Sequence, residues 1–265
     1  VREAGPGPFR FLSDTGANRT AISSDLARQL SLGDRKGTTL HSVTGESRIE
    51  TANVPMLDIT AKKVQNVDAA LLDSAHMGAD GILGLDSLRS QRVLFDFRKQ
   101  TLTIVPAETH VPEDKDTIVV TAKVRNGRLI LTQAHAERVP LTLVVDTGAQ
   151  VSIGNMQLRQ KLSRGGRVKR TGQVELQSVT GEMIMGEYTI VRELEIGGTK
   201  LRNMPVVFAD SHAFRRLNLD DKPALLLGMN ALRSFDRVSI DFQRKKLKVL
   251  LPEESALQMK AIALR

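Results

Sequence analysis

The chain of 265 residues has no cysteine and no tryptophan, and it has a single tyrosine. Without cysteine there are no disulfides, no thiolate nucleophile and no cysteine-based zinc site, and neither an oxidising nor a reducing compartment is favoured. Aromatic residues make up only 3%, which leaves few platforms for stacking bases. The formal net charge of +8 therefore reads as a soluble surface, and no nucleic-acid partner is expected. No apolar run is long enough to span a membrane, so no integral span is expected in this sequence. No signal peptide opens it; the first residue is Val, which leaves room for a leader or anchor removed upstream. The five histidines, His41, His76, His110, His135 and His212, show no ligand spacing along the chain. No metal and no cofactor are expected.

What the chain does have is a repeat. "SDTGAN" at 13–18 returns as "VDTGAQ" at 145–150. "LHSVTGE" returns as "LQSVTGE", "GILGLDSLRS" as "LLLGMNALRS", and "LFDFRKQTLTIVP" as "SIDFQRKKLKVLLP". The blocks keep their order. Asp14 to Asp146, Thr44 to Thr180, Gly84 to Gly228 and Asp96 to Asp241 lie 132, 136, 144 and 145 residues apart. The growing offset places insertions in the second copy. Four collinear matches indicate two copies of one lobe, not a short-period solenoid. The expected organisation is a lobe over 1–108, a polar, proline-containing linker over 109–116, a second lobe over 117–252 and a helical tail over 253–265.

Each lobe reads mostly as strand. "FRFLSD" and "LTLVVD" run into Asp-Thr-Gly as buried strands. Residues 22–32 carry a helical apolar stripe, and 155–163 a weaker one. Asn126-Gly127 marks a hairpin within 117–134. Each "SVTGE" reads as a hairpin tip, and the segments around Gly84 and Gly228 as a strand followed by a short helix. The first lobe has little chain before Asp14, so it is expected to lack the counterpart of most of the 117–135 hairpin, with an N-terminal strand missing or supplied from elsewhere. "SRGGRVKRTG" (163–172) and "SHAFRRLNLDDK" (211–222) cover the insertions; the first reads as a solvated basic loop, with docking of an acidic partner as the lesser alternative, and for the second a place bordering the cleft is likewise the lesser alternative.

Two lobes related by a pseudo-twofold axis can bring Asp14 and Asp146 together. Paired carboxylates share one proton, so one member can activate a water while the other protonates or polarises a carbonyl. Gly16 and Gly148 suit a tight turn against a carboxylate. Thr15 and Thr147 offer small hydroxyls that can bond across the junction. Gly84 and Gly228 allow close approach behind each turn.

On these motifs the chain resembles the pepsin/retropepsin-like aspartic proteases, over roughly residues 9–252. The family pattern is an apolar run into Asp-Thr-Gly, a flap hairpin, then two apolar residues and glycine. It is matched at Asp14-Thr15-Gly16 with Ile82-Leu83-Gly84, and at Asp146-Thr147-Gly148 with Leu226-Leu227-Gly228. The resemblance implies an all-β, bilobal acid-protease-like fold, with short helices and a cleft between the lobes. It implies an aspartic endopeptidase with Asp14 and Asp146 as catalytic dyad and Thr15, Gly16, Ala17, Thr147, Gly148 and Ala149 as active-site turns. Leu83, Gly84, Leu227 and Gly228 would support the dyad. Asp-Thr-Gly-Ala is closer to retroviral and bacterial retropepsin-like members than to pepsin.

Two departures stand out. Neither tip carries the flap tyrosine of pepsin, and both tips are kept, so two flaps are expected: Ser42, Val43, Thr44 and Gly45, and Ser178, Val179, Thr180 and Gly181. They would hold an extended peptide or protein substrate by strand addition. Ala17 and Ala149 also give no hydroxyl to the outer carboxylate oxygens, which should raise the pair's pKa and favour milder pH than pepsin's. A catalytically inactive peptide-binding or scaffold protein on the same fold is the alternative. One chain supplies both carboxylates, so a monomer is expected. Likeness to bacterial members points to the periplasm or cell envelope, with secretion as the next choice.

Overall fold

A computed structural model describes residues 2–3, 7–59, 62–112, 114–166, 168 and 172–252. The expected tail helix and part of the basic loop, including Arg167, Lys169 and Arg170, lie outside the described residues. The described chain is mostly β, with six short helices, the longest being Met156–Arg164. None is long and apolar enough to cross a membrane.

The two halves have the same strand plan. In the first, Phe11–Ser13 runs parallel to Gly81–Leu83, with Ser13 opposite Leu83. In the second, Val139–Val145 runs parallel to Ala224–Leu227, with Val145 opposite Leu227. Ala21–Ser23 and Ser152–Gly154 then lie antiparallel to Gly81–Leu83 and Ala224–Leu227 respectively. A 14-residue strand follows in each half, Glu46–Ile59 and Met183–Ile196. Its start pairs with Lys36–His41 in one half and Gly172–Gln177 in the other. Those two hairpins end in the "SVTGE" tips.

Three expectations need correction. The helix of residues 22–32 is confined to Ser24–Gln29, because Ala21–Ser23 is taken by strand pairing on both sides. Ser23 then caps the helix through its hydroxyl, which accepts from the Leu26 N–H. The segment around Asn126-Gly127 is a hairpin only over Lys123–Arg125 and Arg128–Ala136, with Asn126 at φ 49° and Gly127 at φ 80°, the left-handed pair such a turn requires. Thr117–Thr121 leaves for a different sheet. The strand expected to be missing from the first half is present in reduced form: Arg2–Glu3 pairs with Glu46–Ile59.

That different sheet joins the halves. Its five strands run Thr117–Thr121, Lys246–Leu250, Arg237–Asp241, Gln91–Asp96 and Thr101–Pro106. The middle pairing, Asp241 opposite Arg92 through Arg237 opposite Asp96, binds one half to the other. Above it a continuous apolar cluster contains Leu83, Leu88 and Val93 from the first half and Leu143, Leu227 and Ile240 from the second. Under it lies a buried ion pair. Arg92 donates from Nε to Asp241 Oδ2 at 3.2 Å and from Nη2 to the Ala107 carbonyl at 3.2 Å. Arg244 adds its N–H to Asp241 Oδ1 at 2.8 Å. Burial pushes the Asp241 carboxyl up, but the Arg244 N–H and guanidinium, together with Arg92, outweigh it and hold it below the ordinary range.

Removing one partner of such a pair leaves an uncompensated buried charge. Asp241→Ala is expected to cost about 3–5 kcal/mol of unfolding free energy, read by urea denaturation at pH 7. Because the folded carboxyl is depressed, its contribution is present at neutral pH and is lost as pH falls below the ordinary carboxylate range. The difference between wild type and Asp241→Ala should therefore shrink in acid.

Candidate active site

Each Asp-Thr-Gly sits where a strand ends against its parallel neighbour. The Asp14 N–H donates to the Leu83 carbonyl at 3.0 Å, and the Asp146 N–H to that of Leu227 at 3.1 Å. The turn then folds back, so the N–H groups of Gly16 and Ala17 reach Asp14 Oδ1 at 2.7 and 3.0 Å. Gly148 and Ala149 do the same for Asp146 Oδ1 at 3.1 and 3.3 Å. A carboxylate that accepts two backbone N–H bonds is held in one orientation.

The two turns are locked to each other by their threonines. The Thr15 N–H donates to Thr147 Oγ1 at 3.0 Å, and the Thr147 N–H to Thr15 Oγ1 at 3.1 Å. Each hydroxyl in turn donates to a carbonyl of the opposite strand, Thr15 to Val145 at 3.0 Å and Thr147 to Ser13 at 2.6 Å. Both threonines are buried. The lock draws each glycine under the other half's carboxylate. A methyl group added to Gly16 would stand 2.4 Å from Asp146 Oδ1, and one added to Gly148 would stand 2.3 Å from Asp14 Oδ2. No other residue type fits at either position. Asp14 and Asp146 thereby lie close enough for each to act on the other's protonation.

Behind each turn the glycine segments close in. A Cβ on Gly84 would meet the Arg19 carbonyl carbon at 2.4 Å, and one on Gly228 that of Val151 at 2.7 Å. The Leu85 N–H bonds the Ala17 carbonyl and the Met229 N–H that of Ala149, both at 2.8 Å. A second, symmetric brace was not read from the sequence. Thr20 Oγ1 donates to Asp86 Oδ1 at 2.6 Å and accepts from the Gly84 N–H at 3.1 Å. Ser152 Oγ donates to Asn230 Oδ1 at 2.8 Å and accepts from the Gly228 N–H at 3.1 Å. The signal was available, since a hydroxyl recurs at the same step past each Asp and an Asp/Asn pair recurs in the "GLDSLRS" and "GMNALRS" blocks.

Arg128 was also missed, and the repeat could not have shown it, because the first half has no counterpart. From the start of its strand it donates through Nε (2.9 Å) and Nη2 to the Gly16 carbonyl. Its charge acts on both carboxylates. Burial, then the charge of Asp14, push Asp146 up to about 7, against the pull of Arg128 and the turn N–H groups. Burial also raises Asp14, opposed by the Gly16 and Ala17 N–H groups and by Arg128. The two titrate as a pair that retains a proton well above the usual carboxylate range.

The tips cross over. The Val43 carbonyl accepts from the His212 N–H at 3.1 Å and from Ser211 Oγ at 2.8 Å, and Val43 packs on a second-half apolar cluster that includes Phe214. Val179 packs on a first-half cluster that includes Met77, and Gly181 lies against the His76 ring. Ser42 and Ser178 brace their own tips through Thr44 and Thr180, each at 2.7 Å. Glu182 ties the tips together, accepting from Thr44 Oγ1 at 2.8 Å and Ser47 Oγ at 2.7 Å. Gly45 closes its tip through its carbonyl, which accepts the Ser42 N–H at 2.8 Å.

The fold is thus that of an all-β bilobal protease, with an Asp-Thr-Gly turn from each lobe at the junction. Residues 3–90 match the model of the gag-polyprotein putative aspartyl protease family, and residues 120–231 match that of the aspartyl protease family. The two matches together span most of the chain, which belongs to the aspartyl proteases, with one protease domain in each half, and is a peptide hydrolase. Among solved structures it is similar to a retropepsin-like aspartic protease from Rickettsia conorii, at 21% identity over 50% of this chain and 88% of that one, with a TM-score of 0.34. No curated protein matches it.

The raised carboxyls have a consequence for stability. Between about pH 4, where a carboxyl titrates in the unfolded chain, and about 7, where Asp146 titrates when folded, the folded protein binds more protons than the unfolded one. Stability therefore falls as pH rises through that window. Asp146→Asn removes the effect, so the mutant is expected to melt higher than wild type at pH 8 and to lose that advantage at pH 5. Thermal scans at the two pH values decide it; equal melting temperatures at pH 8 would count against a buried, proton-retaining pair.

Proposed function

We propose that the protein is an endopeptidase whose dyad is Asp14 and Asp146. The observation that carries this reading is the crossed packing of Gly16 on the Asp146 carboxylate and Gly148 on that of Asp14, which supports a close pairing of the two acids at the lobe junction. With one proton shared, the ionised member accepts a proton from a water held between them, and that water attacks the scissile carbonyl. The neutral member keeps its proton and gives a hydrogen bond to the carbonyl oxygen as that oxygen gains charge. The proton taken from water then passes to the leaving nitrogen, which returns the pair to its starting state. Neither Asp is acid or base permanently.

The two tips act as flaps. An extended peptide lies between them and the dyad, its backbone paired with Ser42 to Gly45 on one side and Ser178 to Gly181 on the other. The crossing of the tips onto opposite lobes supports this, since it brings both hairpins to the junction between the halves. One chain supplies both carboxylates, so the reaction requires no second copy.

Asp14→Asn and Asp146→Asn are each expected to lower kcat on a peptide library by at least about 100-fold. Unchanged turnover in both would end the dyad reading, and no wild-type turnover at any pH would favour a peptide-binding scaffold on the same fold.

The pH profile tests the role of Arg128. Activity needs the singly protonated pair, so its alkaline limb should lie near neutrality, where Asp146 titrates. Arg128 favours the ionised carboxylates. Its removal raises their pKa, so Arg128→Ala should move the alkaline limb to higher pH, while Arg128→Lys, which keeps the charge, should move it less. A limb that stays in place in Arg128→Ala would remove Arg128 from the titration.

A further inference from the structure

Three donor atoms outside the dyad converge at the base of the first tip. His41 Nδ1 lies 3.1 Å from His212 Nε2 and 3.2 Å from Glu46 Oε1, and Glu46 Oε1 lies 3.7 Å from His212 Nε2. Two nitrogen ligands and an oxygen ligand that share a tetrahedral ion at about 2.0–2.2 Å stand about 3.3 Å apart. The observed triangle matches that spacing without movement of the backbone. His41 and Glu46 face each other across the hairpin, one on each side of residues 42–45. His212 comes from the other half, at the first position of the helix His212–Arg216. The two imidazoles are nearly parallel, within 12°, with centroids 5.4 Å apart, and their ring nitrogens face each other with the carboxylate to one side.

We propose that His41, Glu46 and His212 form a site for a divalent transition metal of the zinc class, and that the ion fastens the first tip to the second half. Imidazole and carboxylate are suitable ligands for such an ion, and three protein ligands leave one position for water. Each ring would present its facing nitrogen as a lone pair and carry its proton on the other, His41 on Nε2 and His212 on Nδ1. The ion would lie on the Glu46 side of the line between the rings. His41 and Glu46 are exposed, so ions can enter and leave.

The placement gives the site a use. Val43, between two of the ligands, is already held through its carbonyl by Ser211 and His212. An ion would add metal bonds to that weak docking and slow the opening of the tip. The second tip has no equivalent: its base pairs Gln177 with Met183, neither a match for His41 or Glu46. The ligands therefore do not follow from the repeat. Chain spacing gave no sign of them, because His212 is 171 positions from His41 and only the crossed tips unite them.

The effect on cleavage rests on the flap reading above; the metal site does not. The test is a calorimetric titration of zinc chloride into the intact chain, into His212→Gln, into Glu46→Gln and into Asp146→Asn. One ion per chain is expected in wild type and in Asp146→Asn, with affinity lower by about tenfold or more in the other two. Absence of binding, binding that survives both ligand substitutions, or binding lost in Asp146→Asn would each overturn the proposal, the last by placing zinc on the dyad. In wild type, zinc should also slow peptide turnover, with recovery on chelation and no slowing in His212→Gln; equal slowing in both would overturn the latch. Because the titration reads binding, its result holds whether or not the dyad hydrolyses peptide.

Discussion

The arrangement depends on four hydrogen bonds that Thr15 and Thr147 make across the junction, two with each other and two with the opposite strands. Each hydroxyl accepts the other threonine's N–H and donates to the opposite strand. Both donors and acceptors are buried, and buried polar groups are costly when unpaired. The lobes therefore have one satisfactory register, in which Gly16 and Gly148 slide beneath the opposing carboxylates. Shift either turn and two hydroxyls, two N–H groups and two carbonyls lose their partners together. The glycines matter for the same reason, since any side chain there would occupy carboxylate space.

A lock of this kind needs stiff surroundings, and the chain provides them differently on each side. Behind the turns, the Thr20–Asp86 and Ser152–Asn230 braces repeat in both halves. Below them, the five-stranded sheet is not duplicated but shared, with strands from one half and the other in a single ladder. Arg92 and Asp241 cross that seam. Their pairing contributes orientation more than net stability, because the desolvation of two buried ions offsets much of their attraction.

Near-symmetry then makes the exceptions informative. Arg128 hydrogen-bonds the first turn, through the Gly16 carbonyl, with no counterpart in the other half. Ser13 stands where the second half has Val145, and its buried hydroxyl has no hydrogen-bond partner among the described residues. Asp146 is buried while Asp14 keeps more contact with solvent. The first tip carries His41 and Glu46 at its base; the second carries Gln177 and Met183. Two copies of one lobe have thus acquired different electrostatic settings around matching turns.

Much of this could be read from the sequence. The doubled blocks determined the two lobes, the strand-to-turn placement of both Asp-Thr-Gly copies, and the glycine segments behind them, since those depend on local pattern and on repetition in step. The helix of 22–32 was overextended because periodicity cannot see that Ala21–Ser23 is claimed by neighbouring strands. Thr117–Thr121 was assigned to the wrong partner because sheet pairing is a long-range choice. Arg128, the shared sheet and the union of His41 with His212 were invisible for the same reason. The sequence by itself determined which residues recur; the tertiary structure alone decided which of them meet, because contacts between distant segments are fixed by burial and hydrogen-bond satisfaction across the whole fold and leave no spacing along the chain.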